Sequence, residues 1–127
     1  IDARLADALD RRMNGTNVRV IKGDATNMPL DDKTLSSAVS LTMLHHIPSP
    51  ALQDKLLAEV WRVLRPGGVF TGVDSLPDLR FRLIHIEDTM VVVDPDTFGA
   101  RLEAAGFSNV SIAKTNQRFR FRAIRAR

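Results

Sequence analysis

Three groups of polar residues in the first 75 positions have types and spacing that could do chemistry. Asp24, the pair His45-His46, and Asp74 each follow an apolar segment. A carboxylate followed by a free backbone amide can accept a hydrogen bond from an exocyclic amine and donate one to a ring nitrogen, which reads the edge of an adenine. Aspartate also commonly hydrogen-bonds its own backbone in a turn. On spacing alone, the turn is the favoured interpretation of Asp24.

The adjacent histidines could bind a metal or act as a base. Consecutive residues at the end of a strand point in different directions, whereas zinc needs three or four convergent ligands. Because the sequence has one further histidine, His85, and no cysteine, we expect no metal site. Imidazole titrates near neutral pH, so His46 is a candidate base toward a substrate hydroxyl. Asp74 is a second candidate on the substrate side.

The elements that must position these residues alternate between helix and strand. An apolar stripe with a helical repeat begins the chain and consists of Leu5, Leu9 and Met13. We expect Asp2 to cap that helix and Gly15 to end it. A short strand over 17–22 then ends at Asp24. The apolar run 38–44 is typical of a central parallel strand that is covered on both faces.

The next helix has a strong start at Ser49-Pro50, a cap followed by proline. Its apolar positions, which we expect to be buried, are Leu52, Leu56, Leu57, Val60 and Leu64. The helix should end before Pro66-Gly67-Gly68, where proline stops it and the glycines allow the positive φ of a turn into the sheet. Segment 75–93 has no clear pattern. The remaining predictions are a strand at 69–73, a helix from Asp94-Pro95 that ends at Gly106, and strands at 109–114 and 118–125.

This order of elements predicts one domain, residues 1–127, of the α/β class. The expected sheet is open and mostly parallel, with right-handed crossovers and a C-terminal antiparallel hairpin around Asn116-Gln117. The hydrophobic fraction of 44% and charged fraction of 26% are ordinary for a globular protein. No apolar run approaches the roughly 20 residues of a membrane span, so we expect no membrane partner. The lack of cysteine fits a cytoplasmic location.

The last ten residues alternate arginine with apolar side chains. The arginines are Arg118, Arg120, Arg122, Arg125 and Arg127. One interpretation is a basic face for nucleic acid or an anionic lipid. The favoured interpretation is a strand with one buried face and one charged face in water, because the rest of the chain has no basic cluster. We therefore do not expect nucleic acid as a partner.

Three blocks together are similar to the central part of class I methyltransferases that use S-adenosyl-L-methionine on small molecules. They are Gly23–Leu30, Ala38–Ile47 and the helix–turn–strand Glu59–Phe70, with its Leu64-Arg65-Pro66-Gly67-Gly68 turn. The resemblance implies a Rossmann-like, three-layer α/β/α fold. It also implies that Asp24 reads the cofactor's adenine, with the amide from Ala25 or Thr26 and with Met28 packed on the ring. Carbonyls of Leu41 and Thr42 would hold the methionine end, and His45 would flank the cofactor or substrate.

The resemblance begins late in the family's pattern. The first strand and the GxGxG loop of the family have no counterpart here, and the acid that binds ribose would fall one position before Ile1. Ile1-Asp2-Ala3-Arg4 is neither a signal peptide nor a natural start. We therefore expect an N-terminally truncated domain that binds cofactor poorly. Its exposed strand edges would favour a homo-oligomer, because in the family the first strand lies in the middle of the sheet.

The implied function is transfer of a methyl group to a small-molecule acceptor. Such transfer demands little of side chains, because the sulfonium is already activated. The sequence therefore names no catalytic residue beyond the candidate His46, and it does not name the acceptor. An alternative is a non-catalytic interaction or nucleic-acid-binding module on a decayed methyltransferase fold. A nicotinamide-dependent oxidoreductase is a third alternative, but it would need a GxGxxG loop, which is absent.

Overall fold

In a computed structural model, residues 3–76 and 93–127 are described. Their helices are α1 (Ala3–Arg12), a short 3₁₀ helix (Leu44–His46), α2 (Pro50–Val63) and α3 (Pro95–Ala104). Their strands are β1 (Leu35–Leu41), β2 (Leu64–Ser75), β3 (Ser108–Lys114) and β4 (Arg118–Ile124). The predicted cap Asp2 and most of the unassigned segment 75–93 lie outside the described residues.

The four strands form one sheet in the order β1-β2-β4-β3. β1 and β2 run parallel, with Leu41 opposite Val73, and α2 forms the crossover between them. β4 lies antiparallel to both β2 and β3. The predicted α/β class and C-terminal hairpin are confirmed. The described sheet is mixed, with one parallel pairing, because β4 lies between β2 and β3 and runs antiparallel to both.

Two helices pack on one face of this sheet, which we call the covered face. Its strand residues are Phe70, Phe119, Phe121 and Ala123, all buried. The ring of Phe121 lies edge-on to Phe70 from β2 and to Phe98 from α3, at 5.0 Å between centroids in both cases. From α2, Leu56, Leu57 and Val60 join the same core. The described residues thus form two of the three expected layers.

The opposite side of the sheet, which we call the open face, is exposed or half-buried. Its residues are Val39, Leu41, Thr71, Val73, Ser111, Ala113, Arg120 and Arg122. Side chains alternate between the two faces along each strand, so every buried phenylalanine of β4 has an exposed arginine beside it. The predicted alternation of buried and charged residues in β4 is confirmed.

β1 differs from its prediction in both position and environment. The strand covers 35–41 rather than 38–44, because Thr42 has a φ of +48° and Leu44 begins the 3₁₀ helix. β1 is also an edge of the described sheet, and Val39 and Leu41 are 64% and 66% exposed. The prediction of a central strand covered on both faces is therefore wrong for the described residues, where β2 is the neighbour of β1.

The segment 17–22 is not a strand, contrary to the prediction. Val18 and Ile21 are exposed. The nearest β-type pairing is an isolated bridge between Asp24 and Asn27, just after this segment. Alternating apolar residues form a stable strand only when a neighbouring strand accepts their backbone hydrogen bonds. Among the described residues, no strand lies beside this segment.

The first helix is confirmed, but its apolar stripe is not buried. Leu5 is 69% exposed and α1 has no buried residue. An ion pair of 2.7 Å joins Asp7 of α1 to Lys22 and raises the pKa of that lysine. Gly15 follows the helix with a φ of +85°, as expected for a terminating glycine.

Helix α2 begins as predicted, because Ser49 Oγ accepts a hydrogen bond of 3.1 Å from the Leu52 amide. Leu52 itself is exposed, whereas the polar Gln53 is buried in its place. The helix ends at Val63, and the extended backbone of β2 starts immediately at Leu64. The predicted Pro-Gly-Gly turn is therefore an irregular first part of β2.

Two glycines near this junction have different roles. Gly67 has a positive φ of +85°, as predicted, and its amide donates to the Arg125 carbonyl at 2.6 Å. Gly68 is not in the left-handed region. A Cβ on Gly68 would lie 2.8 Å from the Arg65 carbonyl oxygen. A glycine is therefore required at position 68, because the backbone of Arg65 approaches it too closely for any side chain.

Arg125 ties the end of the chain to the end of α2. Its guanidinium donates to the carbonyl oxygens of Trp61, Arg62 and Leu64 at 2.8, 3.2 and 2.9 Å. The same group lies 3.7 Å from the centre of the Trp61 ring. Because the last carbonyls of a helix lack intrahelical partners, Arg125 acts as a C-terminal cap. This arginine is buried and does not belong to a basic surface.

Candidate functional site

The candidate residues lie in two places, a loop before β1 and the carboxyl ends of β1 and β2. In open α/β sheets, ligands bind beyond the carboxyl ends of the strands. The two strand ends are adjacent here, because Leu41 is opposite Val73 and the Thr42 amide donates to the Val73 carbonyl at 2.8 Å. Asp74, His45 and His46 follow directly after these positions.

Asp24 is held in a turn by its own loop. One carboxylate oxygen, Oδ1, accepts hydrogen bonds from the amide and from the hydroxyl of Thr26, both at 2.8 Å. The hydrogen bond from this amide is the largest of the influences that lower the pKa of Asp24, followed by the bond from the hydroxyl. The Asn27 amide also donates to the Asp24 carbonyl at 2.9 Å. The turn interpretation is therefore correct, and it leaves the carboxylate exposed and fixed in direction.

This turn decides which backbone amide can face a ligand. The Thr26 amide already donates to Asp24, and Thr26 is buried. The sequence analysis named the amides of Ala25 and Thr26 as candidate donors to the ligand. The Ala25 amide is not engaged in this hydrogen bond with Asp24. The alternative that Thr26 supplies the amide is disfavoured, because a donor cannot serve two acceptors at full strength.

An open cleft of about 210 Å³ lies beside this turn. Its lining is apolar apart from one carboxylate, and it consists of Ile21, Gly23, Asp24, Ala25, Met28, Pro29 and Leu30. Such a lining suits a flat apolar ring with a polar edge directed at the carboxylate. Met28 lies in this wall, as expected from the sequence.

A partly buried network of hydrogen bonds anchors the cleft to α2. Glu59 accepts from the Met28 amide at 2.7 Å and from Arg62 at 2.7 and 3.0 Å. Arg62 in turn donates to the carbonyls of Leu30 and Met28 and to Asp32. The hydrogen bond from Arg62 is the main cause of the lowered pKa of Glu59. The sequence analysis missed these residues, although a Glu and an Arg three positions apart on a helix indicate a pair.

Thr42 has an unusual backbone at the end of β1. Its φ of +48° is rare for a β-branched residue, and such strain concentrates at functional sites. Leu41 precedes it, with its side chain on the open face. The structure thus places Leu41 and Thr42 at the carboxyl end of a strand, where the sequence analysis expected them.

His45 and Asp74 form a buried pair. His45 Nδ1 lies 2.7 Å from Asp74 Oδ1, and their side chains are 5% and 0% exposed. The Ser75 amide donates to the same oxygen at 2.8 Å. Asp74 therefore faces the protein interior on the covered face rather than an open substrate side. The sequence analysis singled out both residues but not their pairing, which the ends of neighbouring parallel strands bring about.

His46 differs from His45 in being exposed, although the two rings are 4.1 Å apart. The 3₁₀ helix that carries both is fixed by Gln53, whose amide donates to the Leu44 carbonyl at 3.1 Å. Arg101 of α3 donates to the other end of Gln53 at 3.0 Å. Of the two histidines, His46 is the one with access to solvent.

Two other kinds of site can be compared with this geometry. A nucleophilic serine needs a hydrogen bond to a histidine, and the nearby buried Ser40 makes no such bond in the described structure. Within residues 3–76 and 93–127, no group of three or more His, Cys, Asp or Glu side chains could hold a metal ion. The same residues contain no helix long and apolar enough to cross a membrane.

Comparison with known proteins gives a consistent result. A family model described as "Methyltransferase domain" matches residues 1–71 of the chain. The fatty-acid O-methyltransferase of Mycolicibacterium smegmatis is 37% identical over 67 residues, which are 53% of this chain and 23% of that protein. A phthiotriol/phenolphthiotriol dimycocerosates methyltransferase of Mycobacterium tuberculosis is 40% identical over 58 residues, 46% of this chain and 20% of that protein. The matched part thus spans less than a quarter of either relative.

Solved structures share the fold. A SAM-dependent methyltransferase from Aquifex aeolicus superposes with a TM-score of 0.71 at 21% identity, covering 97% of this chain and 63% of that one. A phosphoethanolamine N-methyltransferase from Haemonchus contortus, in complex with S-adenosylhomocysteine, gives 0.68 at 12% identity, with 82% and 36% coverage. At these identities the likeness shows the Rossmann-like fold alone.

Proposed function

Because the chain belongs to the family of methyltransferase domains that use S-adenosylmethionine, we propose that it binds the adenine end of this cofactor and forms part of the site for a small-molecule methyl acceptor. The observation that carries the proposal is the exposed Asp24 carboxylate, fixed by its turn beside an apolar cleft of about 210 Å³. A hydrogen-bond acceptor in an otherwise apolar wall fits an adenine ring with its exocyclic amine.

The roles of the residues follow from their positions. Asp24 would accept from the exocyclic amine, the Ala25 amide would donate to a ring nitrogen, and Met28 would pack on the ring. We assign the carbonyls of Leu41 and Thr42 to the methionine end of the cofactor. His45 is buried beneath this strand end, so we assign it to the support of Thr42 rather than to direct contact.

When bound, the cofactor supplies a methyl group that is already activated on a sulfonium. The chain's own residues then have to bind the cofactor, orient the acceptor and exclude water. His46 is exposed next to the strand ends and stays the candidate base for an acceptor that carries a proton. Its contribution would be to hold that proton after transfer.

The acceptor proposed here is a small apolar molecule. The support for this proposal is that two relatives are named for a fatty acid and for a dimycocerosate lipid. We also propose the cytoplasm as the location, on the support of a sequence without cysteine.

Asp24→Asn in the full-length protein tests the adenine site. Asparagine can still accept from Thr26 through Oδ1, so the turn is kept while the charge and one acceptor are lost. We expect the affinity for S-adenosylhomocysteine, measured by calorimetry, to fall about tenfold through loss of a charge-assisted hydrogen bond.

The matched control is Asp31→Asn. Asp31 is an exposed aspartate in the same loop, and it does not line the cleft. This variant should bind S-adenosylhomocysteine as the wild type does. Equal affinity of Asp24→Asn and wild type would overturn the adenine assignment.

A non-catalytic, nucleic-acid-binding module is the second candidate function. The observation that favours it is the exposure of Arg118, Arg120 and Arg122 along β4. Phosphate contacts make affinity fall steeply with salt, so a salt titration against single-stranded RNA and duplex DNA separates the two candidates. Micromolar binding with a steep salt slope would favour this second function over methyl transfer.

We further propose that the chain associates with a second copy through the edge of β1. This edge carries no charge, proline or lysine to block pairing, and Val39 and Leu41 expose apolar side chains beside it. Unprotected edges of this kind recruit further strands.

A further inference from the structure

One wall of the cleft beside Asp24 has no regular secondary structure to hold it. This wall, which we call the Met28 wall, consists of Met28, Pro29 and Leu30, and these residues lie in neither a helix nor a strand. The position of such a segment depends on the groups that hydrogen-bond to its peptide units. For the Met28 wall, those groups include two side chains of α2.

Glu59 and Arg62 hold the backbone of this wall through both its donor and its acceptor groups. Oε2 of Glu59 accepts from the Met28 amide at 2.7 Å. Arg62 donates to the Met28 carbonyl at 3.2 Å and to the Leu30 carbonyl at 2.8 Å. It also donates to both carboxylate oxygens of Glu59, at 2.7 and 3.0 Å. The two side chains therefore fix each other as well as the wall.

The helix that carries this pair is itself firmly placed, because Leu56 and Val60 of α2 belong to the core. A glutamate and an arginine three positions apart on a solvated helix face would contribute little beyond that helix. Here the side chains of Glu59 and Arg62 are only 15% and 31% exposed, and both contact the loop. The pair thus transmits the fixed position of α2 to the Met28 wall.

The opposite wall is held by its own turn. The Asp24 carboxylate is fixed by its hydrogen bonds from Thr26. The two walls come close together at Gly23, where a Cβ would lie 3.2 Å from Cδ of Pro29. Any shift of the Met28 wall therefore changes the gap in which a flat ring would lie. A hydrogen bond from that ring to Asp24 weakens steeply as its geometry departs from the optimum.

We propose that Glu59 and Arg62 are positioning residues that make the cleft selective for adenine over a purine with a carbonyl in place of the exocyclic amine. This inference rests on the function proposed above and adds the source of its base selectivity. Neither residue lines the cleft, so both act through the Met28 wall. By holding this wall, they keep the ring where its amine reaches Asp24.

Base selectivity is measured in the full-length protein with S-adenosylhomocysteine and S-inosylhomocysteine, whose base carries a carbonyl in place of the amine. We expect the wild type to bind the adenine compound about tenfold more tightly in calorimetry, because a carbonyl cannot donate to Asp24. Arg62→Lys and Glu59→Gln should each reduce this preference to about twofold. One ammonium cannot reproduce the fork of the guanidinium, and glutamine replaces one acceptor oxygen with a donor.

Two controls separate positioning from stability. Arg65→Lys makes the same chemical change at an exposed arginine that does not line the cleft, and it should keep the full preference. Leu102→Val removes volume from the core at α3. It should lower the free energy of unfolding, measured with urea, without changing the preference. If Arg62→Lys does not fold, Glu59→Gln, which keeps the size and one acceptor of the side chain, carries the test.

The proposal is overturned if the wild type binds both compounds equally, if the folded variants keep the preference of the wild type, or if they weaken the binding of both compounds by the same factor. Retained preference or uniform weakening would give the pair a structural role alone. As long as the wild type binds S-adenosylhomocysteine, these results leave the proposed function standing. A wild type that does not bind S-adenosylhomocysteine would instead refute the proposed function, and this inference with it.

Discussion

The two faces of the sheet are built by the same strands but differ in what surrounds them. On the covered face, Phe70 and Phe121 pack against α2 and α3 and are almost fully buried. On the open face, Val39 and Leu41 are about two-thirds exposed, next to Arg120 and Arg122. The backbone register is common to both faces, so the difference arises from the packing partners.

This contrast shows that the helices, rather than the strands, decide which face of the sheet is buried. The helices of the covered face are each joined directly to a strand of the sheet, α2 to β2 and α3 to β3. Short connections therefore bring both helices to the covered face, where they pack on strands from distant parts of the sequence. The open face has no such helix among the described residues, and its apolar patch has the character of a contact surface.

The largest expected effect is on the covered face. Phe121→Ala should lower the free energy of unfolding by about 3–5 kcal/mol, because it leaves a cavity between Phe70 and Phe98. Val39→Ala on the open face should change it by less than about 0.5 kcal/mol. Urea unfolding measures both. Similar losses for the two variants would show that the open face is packed in solution.

Arg125→Ala comes next and tests whether an arginine of the C-terminal strand region belongs to the interior. We expect a loss of about 1–3 kcal/mol in the free energy of unfolding, because three carbonyls of the α2 end lose their donor and Trp61 loses its cationic neighbour. Arg122→Ala, on the open face, should cost less than about 0.5 kcal/mol. An equal, small effect of both would mean that the cap does not stabilise α2.

A smaller effect is expected from Glu59, which connects the covering helix to the cleft. Its pKa is lower in the folded protein than the ordinary value of 4.5, mainly because of Arg62. A carboxyl of this kind stabilises the fold above its unfolded pKa, and that contribution is lost as pH falls through the folded pKa. Glu59→Gln should therefore lose less stability than the wild type on acidification from pH 7 to about pH 3.

Glu103→Gln, an exposed glutamate on α3, is the control for this pH series. Its acid-dependent loss, followed by urea unfolding at each pH, should equal that of the wild type. If Glu59→Gln and Glu103→Gln titrate alike, the link between α2 and the Met28 amide does not contribute to stability.

The smallest expected effect on stability is also the most informative about the open face. Leu41→Lys places a charge at the unprotected end of β1, where it should prevent pairing with a second copy. We expect light scattering at several concentrations to show less self-association than the wild type, with an unchanged unfolding free energy. Val73→Lys, one strand further in, controls for the added charge, and equal association of wild type and Leu41→Lys would contradict the edge proposal.

Elements with local signals could be predicted from the sequence. Ser49-Pro50 and Asp94-Pro95 begin helices where expected, and the hairpin around Asn116-Gln117 is present, because caps and turns are short-range features. The strand predicted at 17–22 and the buried state of 38–44 failed for a different reason. Strand formation depends on neighbours that are distant in the sequence, and the pattern of one segment does not contain them.

The candidate site shows the same division. Asp24 and Met28 line one cleft, because the loop that carries them is compact, and their role toward an adenine stays a prediction. The burial of His45 with Asp74 was not predicted, since it depends on the register between β1 and β2 and on the backbone conformation of Thr42. The link from Glu59 to the Met28 amide spans 31 positions and has no sequence signal of its own.

The cap supplied by Arg125 also has a consequence for the order in which the chain can fold during synthesis. Its partner Trp61 lies 64 positions earlier, and β4 lies between β2 and β3 in the sheet. When a ribosome has released α2 and β2, the end of that helix and one side of β2 still lack their hydrogen-bonding partners. β4 and Arg125 provide both at once, so we expect this part of the protein to fold cooperatively only after Arg125 has emerged.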